Sequence, residues 1–224
     1  KELGRHDEAV ACFERAIALQ PTFADAYNNL GNTLKEQGKP DESRAQFERA
    51  IELAPAYAAA HNNLLLSMQY AAGITQEQLF KLHLRFAAQF EPALEAQRFQ
   101  HVPGSDRGKR LKIGYVSPDF RRHPVAFFME PVLAHHDKAQ VEVFCYYSHV
   151  VNDEFTARIR ADSDHWIPCR GMSDQQLAER IHADGIDILV DLAGHTAGNR
   201  LLAFARKPAP VQVTWIGYPS TTGL

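Results

Sequence analysis

The sequence predicts two folds in one chain: an α-helical repeat array in residues 1–100 and a parallel α/β domain in residues 111–224. Two observations predict this. In the first part the segment 13–17 returns unchanged as 47–51, which gives a repeat of 34 residues. In the second part, short apolar runs alternate with helical segments of about a dozen residues, the pattern of a parallel sheet covered by helices. Proline, glycine and charged residues between the two parts predict a linker over residues 101–110.

The composition excludes several classes of protein. With 45% hydrophobic residues the chain can form a true core, and its net charge of −3 argues against nucleic-acid binding by bulk positive charge. Apolar runs fall short of the ~20 residues of a membrane-spanning helix. The three cysteines are far apart and form no CxxC pair. They therefore argue against a disulfide scaffold or structural zinc site and favour a reducing, cytoplasmic setting.

The repeat unit is a helical hairpin with a close-packed interface. In the complete copy, Gly38 is placed to end the first helix and Pro55 to end the second. The small and large positions of this copy resemble those of the tetratricopeptide repeat: Tyr27, Leu30, Gly31, Ser43, Phe47, Ala50 and Pro55. A third copy begins near residue 58 and decays, and a joining helix is predicted over residues 74–98. Because residue 1 falls near the end of a helix, we expect the array to be cut from a longer superhelix.

Two asparagines occupy equivalent positions in successive repeats. Asn29 and Asn63 are 34 residues apart, so they lie on the same face of the array. One interpretation is that they are ordinary polar or capping residues. The other is a ladder of side-chain amides that binds the backbone of an extended polypeptide without reading its side chains. The spacing alone leaves both open.

The second part predicts a mainly parallel sheet with helices on both faces. The predicted strands are 112–117, 141–147, 165–168, 186–192 and 211–217, and the predicted helices are 124–135, 153–161, 173–183 and 199–205. No strand is followed by GxGxxG, and the chain has no GxxxxGK[ST], GxSxG or HExxH motif. Dinucleotide binding, P-loop chemistry and common hydrolase mechanisms therefore lose their main support.

Unusual residues follow three of the predicted strands. These segments are residues 117–124, 191–200 and 217–223, and they contain two histidines, several hydroxyls and small residues. Ligands of open parallel sheets bind in the crevice beyond the carboxyl ends of the strands. We therefore expect the three segments to meet around a binding site.

Behind tetratricopeptide repeats, the motifs SPDF…HP and DLAGHTAGNR…KPAPVQVTWIGYPSTTG resemble the protein O-linked N-acetylglucosamine transferases and their bacterial homologues. The resemblance implies a Rossmann-like N-terminal lobe of a two-lobed GT-B glycosyltransferase, with a second lobe beyond residue 224. It implies inverting transfer of N-acetylglucosamine from UDP-N-acetylglucosamine to Ser or Thr of proteins, without a cofactor or required metal. Expected partners are polypeptides along the superhelix and a nucleotide sugar, with no nucleic acid and no membrane span. The SPINDLY fucosyltransferases share this layout, and a non-enzymatic repeat adaptor is the competing class.

His123 is the candidate catalytic residue. The resemblance implies that the HP histidine is the base or an acceptor-side contact, and a helix N-terminus keeps an imidazole neutral. Its alternative role is to cap the helix that begins at Pro124. Asp119 could orient His123 or cap the turn that follows it.

The remaining candidates are assigned to donor or acceptor binding. His195 follows a predicted buried strand and precedes a helix, so it is assigned to this group together with Thr196, although it could also be a loop-packing histidine bonded to a backbone carbonyl. The resemblance places the turn of Tyr218, Pro219 and Thr221 at the sugar pocket, where turn chemistry alone explains the same residues. Pro124 joins this group, and His182 is a weaker candidate because a helix C-terminus explains it equally well. The pair 135–136 has no third ligand nearby, which argues against a metal site.

Overall fold

The computed structural model describes residues 5–101 and 108–224, so residues 102–107 of the predicted linker lie outside the described residues. The chain divides into two compact units, one up to Phe90 and one from Glu91 to Thr222. The division therefore falls before the boundary predicted at residue 100. Residues 91–100 belong to the second unit because of two contacts. Glu91 pairs with Arg98 at 2.9 Å, and Phe99 N donates to Arg206 O at 2.9 Å.

The first unit consists of antiparallel helical hairpins, as the repeat predicts. Its helices are α1 Arg5–Leu19, α2 Ala24–Glu36, α3 Pro40–Leu53, α4 Ala58–Met68 and α5 Gln76–Leu94. The joining helix predicted over residues 74–98 is present as α5, which ends at Leu94 and is followed by a 3-10 turn at Glu95–Gln97. Gly38 adopts φ +75°, the left-handed conformation that ends α2.

The repeat motif acts through close packing between α2 and α3. Phe47 is fully buried, and its ring lies so near Gly31 that a Cβ there would be 2.6 Å from Phe47 Cε1. Ser43, also fully buried, donates its hydroxyl hydrogen bond to Gly31 O at 2.8 Å. The bulk of Phe47 therefore requires glycine at position 31, which is the interlocking of small and large residues that the sequence predicts.

The second unit is a five-stranded parallel sheet with the order β3-β2-β1-β4-β5. The strands are β1 Leu111–Ser117, β2 Val141–Tyr147, β3 His165–Pro168, β4 Ile188–Asp191 and β5 Val211–Thr214. The chain moves outward from β1 to β3 and then returns to start β4 on the other side of β1. The topological switch point, where ligands of such sheets bind, therefore lies between β1 and β4.

Helices cover both faces of the sheet. They are α6 Pro124–Ala134, α7 Glu154–Asp162, α8 Asp174–Asp184 and α9 Leu201–Phe204. Alternate residues of β1 and β2 enter two separate cores: Tyr115 and Val143 join the core of α6 and α7, whereas Val116 and Phe144 join the core of α8 and α9. In the described residues no helix is long and apolar enough to cross a membrane.

Three predicted elements are shorter in the structure. The strand predicted over 186–192 is β4 alone, and the helix predicted over 199–205 is the single turn α9. Asn199 Oδ1 accepts from Leu201 N at 3.3 Å, which holds Asn199 outside the helix. The strand predicted over 211–217 ends at Thr214, because Ile216 has φ +49° and cannot continue a ladder. The departures after β4 and β5 lie where loops form the crevice.

Candidate active site

The three segments that follow β1, β4 and β5 meet at one edge of the sheet. A Cβ on Gly198 would lie 3.1 Å from Pro118 Cβ, so the loops after β1 and β4 touch. A Cβ on Gly194 would lie 2.2 Å from Tyr218 Cβ, and one on Gly217 would lie 1.8 Å from Leu192 O. Glycine is therefore required where the loops after β4 and β5 cross. The predicted crevice is formed as the topology requires.

His123 lies at the mouth of this crevice, at the N-terminus of α6. It is the N-cap residue of that helix, and its Nδ1 accepts a hydrogen bond from Val125 N at 3.3 Å. Its side chain is 36% exposed, so the ring can reach a ligand. The capping role that the sequence left open is thus present. Pro124 is exposed at the first position of the helix beside it.

A carboxylate and a guanidinium lie behind His123. Asp119 Oδ2 is 3.7 Å from His123 Nδ1, and Asp119 Oδ1 accepts from Arg121 Nη2 at 3.1 Å. Asp119 is 6% exposed, and its own backbone N–H donates to Ser117 Oγ at 2.9 Å. Among the described residues, the buried Nε of Arg121 has no hydrogen-bond partner. The cluster therefore consists of the His123 ring and the Arg121 guanidinium, both next to the carboxylate of Asp119.

His195 is held in a different way. It is 1% exposed, its Nε2 lies 3.0 Å from Thr222 O, and its ring meets that of Tyr218 edge-on at 5.3 Å. A carbonyl oxygen only accepts, so Nε2 carries a proton and donates it. This is the loop-packing arrangement that the sequence left open as the alternative. Direct contact of the ring with a ligand stays a prediction.

The other predicted binding residues line the same loops. Thr196 donates its hydroxyl hydrogen bond to Ala193 O at 2.8 Å, which closes the turn after β4. Tyr218 is buried against that turn, whereas Pro219 and Thr221 are exposed. These residues lie on the loops that meet at this edge of the sheet, and their roles toward a ligand stay predictions.

His182 does not belong to this crevice, and the sequence-based grouping requires correction. It lies in the last turn of α8, where its ring stacks on Phe99 at a centroid distance of 4.2 Å. The nearby Asp184 O accepts from Lys112 Nζ at 2.9 Å, and Lys112 is at the start of β1. The C-terminus of α8 therefore lies at the amino ends of the strands, opposite the crevice. A helix that precedes a parallel strand must end there.

Sequence reasoning missed Asp191, the last residue of β4. It is 1% exposed and accepts three hydrogen bonds, from Ala193 N at 3.1 Å, Gly194 N at 2.8 Å and Thr214 Oγ1 at 2.8 Å. Burial raises the pKa of this carboxyl, and the three donors oppose that shift. One signal could have identified it: a charged residue inside an otherwise apolar strand is expensive unless it fixes something. Here it fixes the loop that carries His195.

The two asparagines of the repeat unit differ in their environment. Asn29 is exposed on α2, whereas Asn63 on α4 donates from Nδ2 to Asn28 Oδ1 at 2.9 Å. That bond crosses between neighbouring repeats. An amide has two donor hydrogens and an acceptor oxygen, so Asn63 keeps capacity for a ligand.

Comparison with known proteins identifies the family of this chain. The description "Glycosyl transferase family 41" matches residues 78–224, and tetratricopeptide repeat descriptions match residues 1–38 and 24–57. The first match covers more than half of the chain and contains all three crevice segments. The chain belongs to glycosyl transferase family 41.

Named relatives of this family-41 chain agree with that assignment. A probable UDP-N-acetylglucosamine–peptide N-acetylglucosaminyltransferase SPINDLY of Arabidopsis thaliana is 40% identical over 164 residues, which are 71% of this chain and 18% of that protein. A UDP-N-acetylglucosamine–peptide N-acetylglucosaminyltransferase of Caenorhabditis elegans is 42% identical over 150 residues, 64% of this chain and 12% of that protein. The chain thus spans less than a fifth of the length of these relatives.

A solved structure is similar to the chain along its whole length. The O-GlcNAc transferase mutant K341M of Thermobaculum terrenum has 40% sequence identity and a TM-score of 0.89, covering 100% of this chain and 43% of that one. This similarity includes both the repeats and the parallel sheet.

Proposed function

We propose that this chain is part of an inverting glycosyltransferase that moves N-acetylglucosamine from UDP-N-acetylglucosamine to Ser or Thr hydroxyls of proteins. The observation that carries the proposal is the half-exposed ring of His123 at the switch point of a family-41 sheet. An inverting transfer requires one base beside the acceptor hydroxyl. His123 combines a titratable ring nitrogen with access to solvent at this edge of the sheet.

The chemistry assigned to the crevice is a single displacement. The acceptor oxygen attacks the anomeric carbon, the bond from that carbon to the UDP oxygen breaks, and UDP leaves with the electron pair. The hydroxyl proton moves to His123. In this proposal Thr196, Tyr218, Pro219 and Thr221, with Pro124 and the loop of His195, line the donor and acceptor pocket. The reaction needs no metal and no further cofactor.

The repeat unit is proposed to bind the polypeptide acceptor. Exposed Asn29 and the free capacity of the Asn63 amide supply hydrogen bonds to a peptide backbone on one face of the array. Partners are then polypeptides and a nucleotide sugar, not nucleic acid or a membrane. A cytoplasmic location fits Cys12, Cys145 and Cys169, which are all free thiols.

The test is incubation of the intact protein with radiolabelled UDP-N-acetylglucosamine and a protein extract. We expect label on protein that is released by β-elimination, since the linkage is to Ser or Thr. Parallel incubation with labelled GDP-fucose distinguishes the donor, because the SPINDLY-like alternative would transfer fucose instead. Label from neither donor would favour the non-enzymatic adaptor and contradict the proposal.

A further inference from the structure

We propose that Asp119 is the positioning residue for His123 and decides which nitrogen of its ring is free to take a proton. This inference rests on the proposed function, in which His123 receives the proton of the acceptor hydroxyl. It adds a residue and a step: the ring must change its tautomer before it can act.

The N-cap bond fixes the resting tautomer of His123. A backbone amide can only donate, so the bond from Val125 N at 3.3 Å requires the lone pair on Nδ1. A neutral imidazole carries one proton, which must then be on Nε2. In that state Nε2 is a donor and cannot accept the proton of an attacking hydroxyl. The ring is thus held in the form that does not act as a base.

Asp119 provides the alternative partner for the same nitrogen. Its Oδ2 is 3.7 Å from His123 Nδ1, and closing that gap by roughly 0.8 Å would make a hydrogen bond. When Nε2 has released its proton to water and Nδ1 has taken one from water, Nδ1–H donates to Asp119 and the lone pair of Nε2 is free to accept. The two arrangements exclude each other, because Nδ1 cannot accept from Val125 N and donate to Asp119 together.

The carboxylate is fixed, so the ring is the part that moves. Asp119 is 6% exposed, its Oδ1 is held by Arg121 at 3.1 Å, and its backbone is tied to Ser117 Oγ at 2.9 Å. His123, in contrast, is 36% exposed, and its cap bond from Val125 N is long at 3.3 Å. After transfer, the imidazolium carries protons on both nitrogens, with Nδ1–H directed at Asp119 and the Nε2 proton passing to water.

The first measurement is the tautomer itself, which requires no turnover. In protein labelled with 15N-histidine, the His123 signals are identified by their loss in His123→Asn. We expect an unprotonated Nδ1 and a protonated Nε2 in the wild-type ring at neutral pH. A proton on Nδ1 in the resting protein would overturn the proposed alternation.

The second measurement is the kinetics of Asp119→Asn in the intact enzyme. The new amide keeps an oxygen for Arg121 but presents N–H groups toward Nδ1, which locks the Nε2–H tautomer. We expect kcat to fall by about 10²-fold or more, with KM for the donor within twofold. Asp119→Glu retains a carboxylate and should recover part of that loss, which a merely structural role would not predict. Asp153→Asn is the matched control, since Asp153 caps α7 and binds Arg122 N without contacting the ring.

The outcomes separate this inference from the proposed function. Wild-type protein that transfers sugar while Asp119→Asn retains its kcat, with the variant folded by its melting temperature, would overturn the positioning role alone. Wild-type protein that transfers no sugar would overturn the proposed function, whatever the NMR result. If Asp119→Asn does not fold, Asp119→Glu and the wild-type tautomer still decide the question.

Discussion

Replacing Asp191 by asparagine tests whether a buried carboxylate holds the loop after β4. Its two oxygens accept from two backbone amides and one hydroxyl, all between 2.8 and 3.1 Å. Asparagine has a single accepting oxygen. If that oxygen takes the place of Oδ2 and keeps Gly194 N and Thr214 Oγ1, the new NH2 group faces Ala193 N–H, donor against donor.

The expected loss follows from that count. Leaving one buried donor unsatisfied costs about 1–3 kcal/mol. For a chain of this size each kcal/mol lowers Tm by about 2–4 °C. Thr214→Val is the matched control, because it removes one donor to the carboxylate and leaves both backbone bonds. We expect its destabilisation to be smaller than that of Asp191→Asn at neutral pH.

The pH dependence gives an independent check. Burial raises the pKa of Asp191 in the folded chain above its unfolded value. The stabilising effect of the protonated group is therefore fully present below the unfolded pKa, and it is lost as pH rises through the folded pKa. Asparagine does not titrate, so the stability of wild type relative to Asp191→Asn should increase as pH falls across that interval. Thermal melts of both proteins between pH 7 and about pH 4 measure this.

Two results would contradict the reasoning. Equal Tm for Asp191→Asn and wild type at neutral pH would show that the loop does not depend on the carboxylate. A stability difference that stays constant or shrinks on acidification would show that the pKa of Asp191 is not raised in the folded chain. The first result would remove the donor set as the cause of the loop's conformation, whereas the second would show that the three donors offset the effect of burial on the pKa.

Three further predictions concern turnover. His123→Asn keeps an N-cap residue and should lower kcat by about 10²–10⁴-fold with little change in Tm. His123→Ala should lower kcat equally and also lose about 1 kcal/mol of stability. A kcat within threefold of wild type for either variant would remove the catalytic role. Asn29→Ala with Asn63→Ala should raise KM for protein acceptors several-fold to about tenfold and leave donor hydrolysis unchanged, and the single Asn29→Ala variant controls for loss of the bond to Asn28. Dialysis against a chelator should leave turnover unchanged, and activity restored only by an added divalent ion would contradict the proposal that no metal is required.

The fold was predictable because its signals are local and repeated. The 34-residue repeat places Gly31 against Phe47, and apolar runs mark strands that are buried on both faces. Helix starts were predicted to within a residue or two in α6 to α9, because Asp153 and Ser173 are capping residues recognisable in sequence. The sequence also predicted which three loops would meet, since parallel strands share one carboxyl edge.

The site was predictable only in part, because hydrogen-bond partners depend on loop conformation. Nothing in the sequence shows that His195 would be buried with its Nε2 bonded to Thr222 O, or that Ile216 would turn the chain with a positive φ. The misplacement of His182 has a simpler origin. Residue type alone makes His182 a candidate, whereas its position at the end of a helix that precedes a strand assigns it to the opposite edge.

The two crevice histidines, His195 and His123, differ in which ring nitrogen is hydrogen-bonded to the backbone. In His195 a backbone carbonyl accepts from Nε2, and burial of the whole ring turns it into part of the wall. In His123 a backbone amide holds Nδ1, and Nε2 remains at the exposed side. The ring of His123 is 36% exposed, and a carboxylate oxygen lies 3.7 Å from its Nδ1. Removing Asp119 should therefore affect His123 and leave His195 unchanged, which two separate 15N-histidine signals can show in a single spectrum.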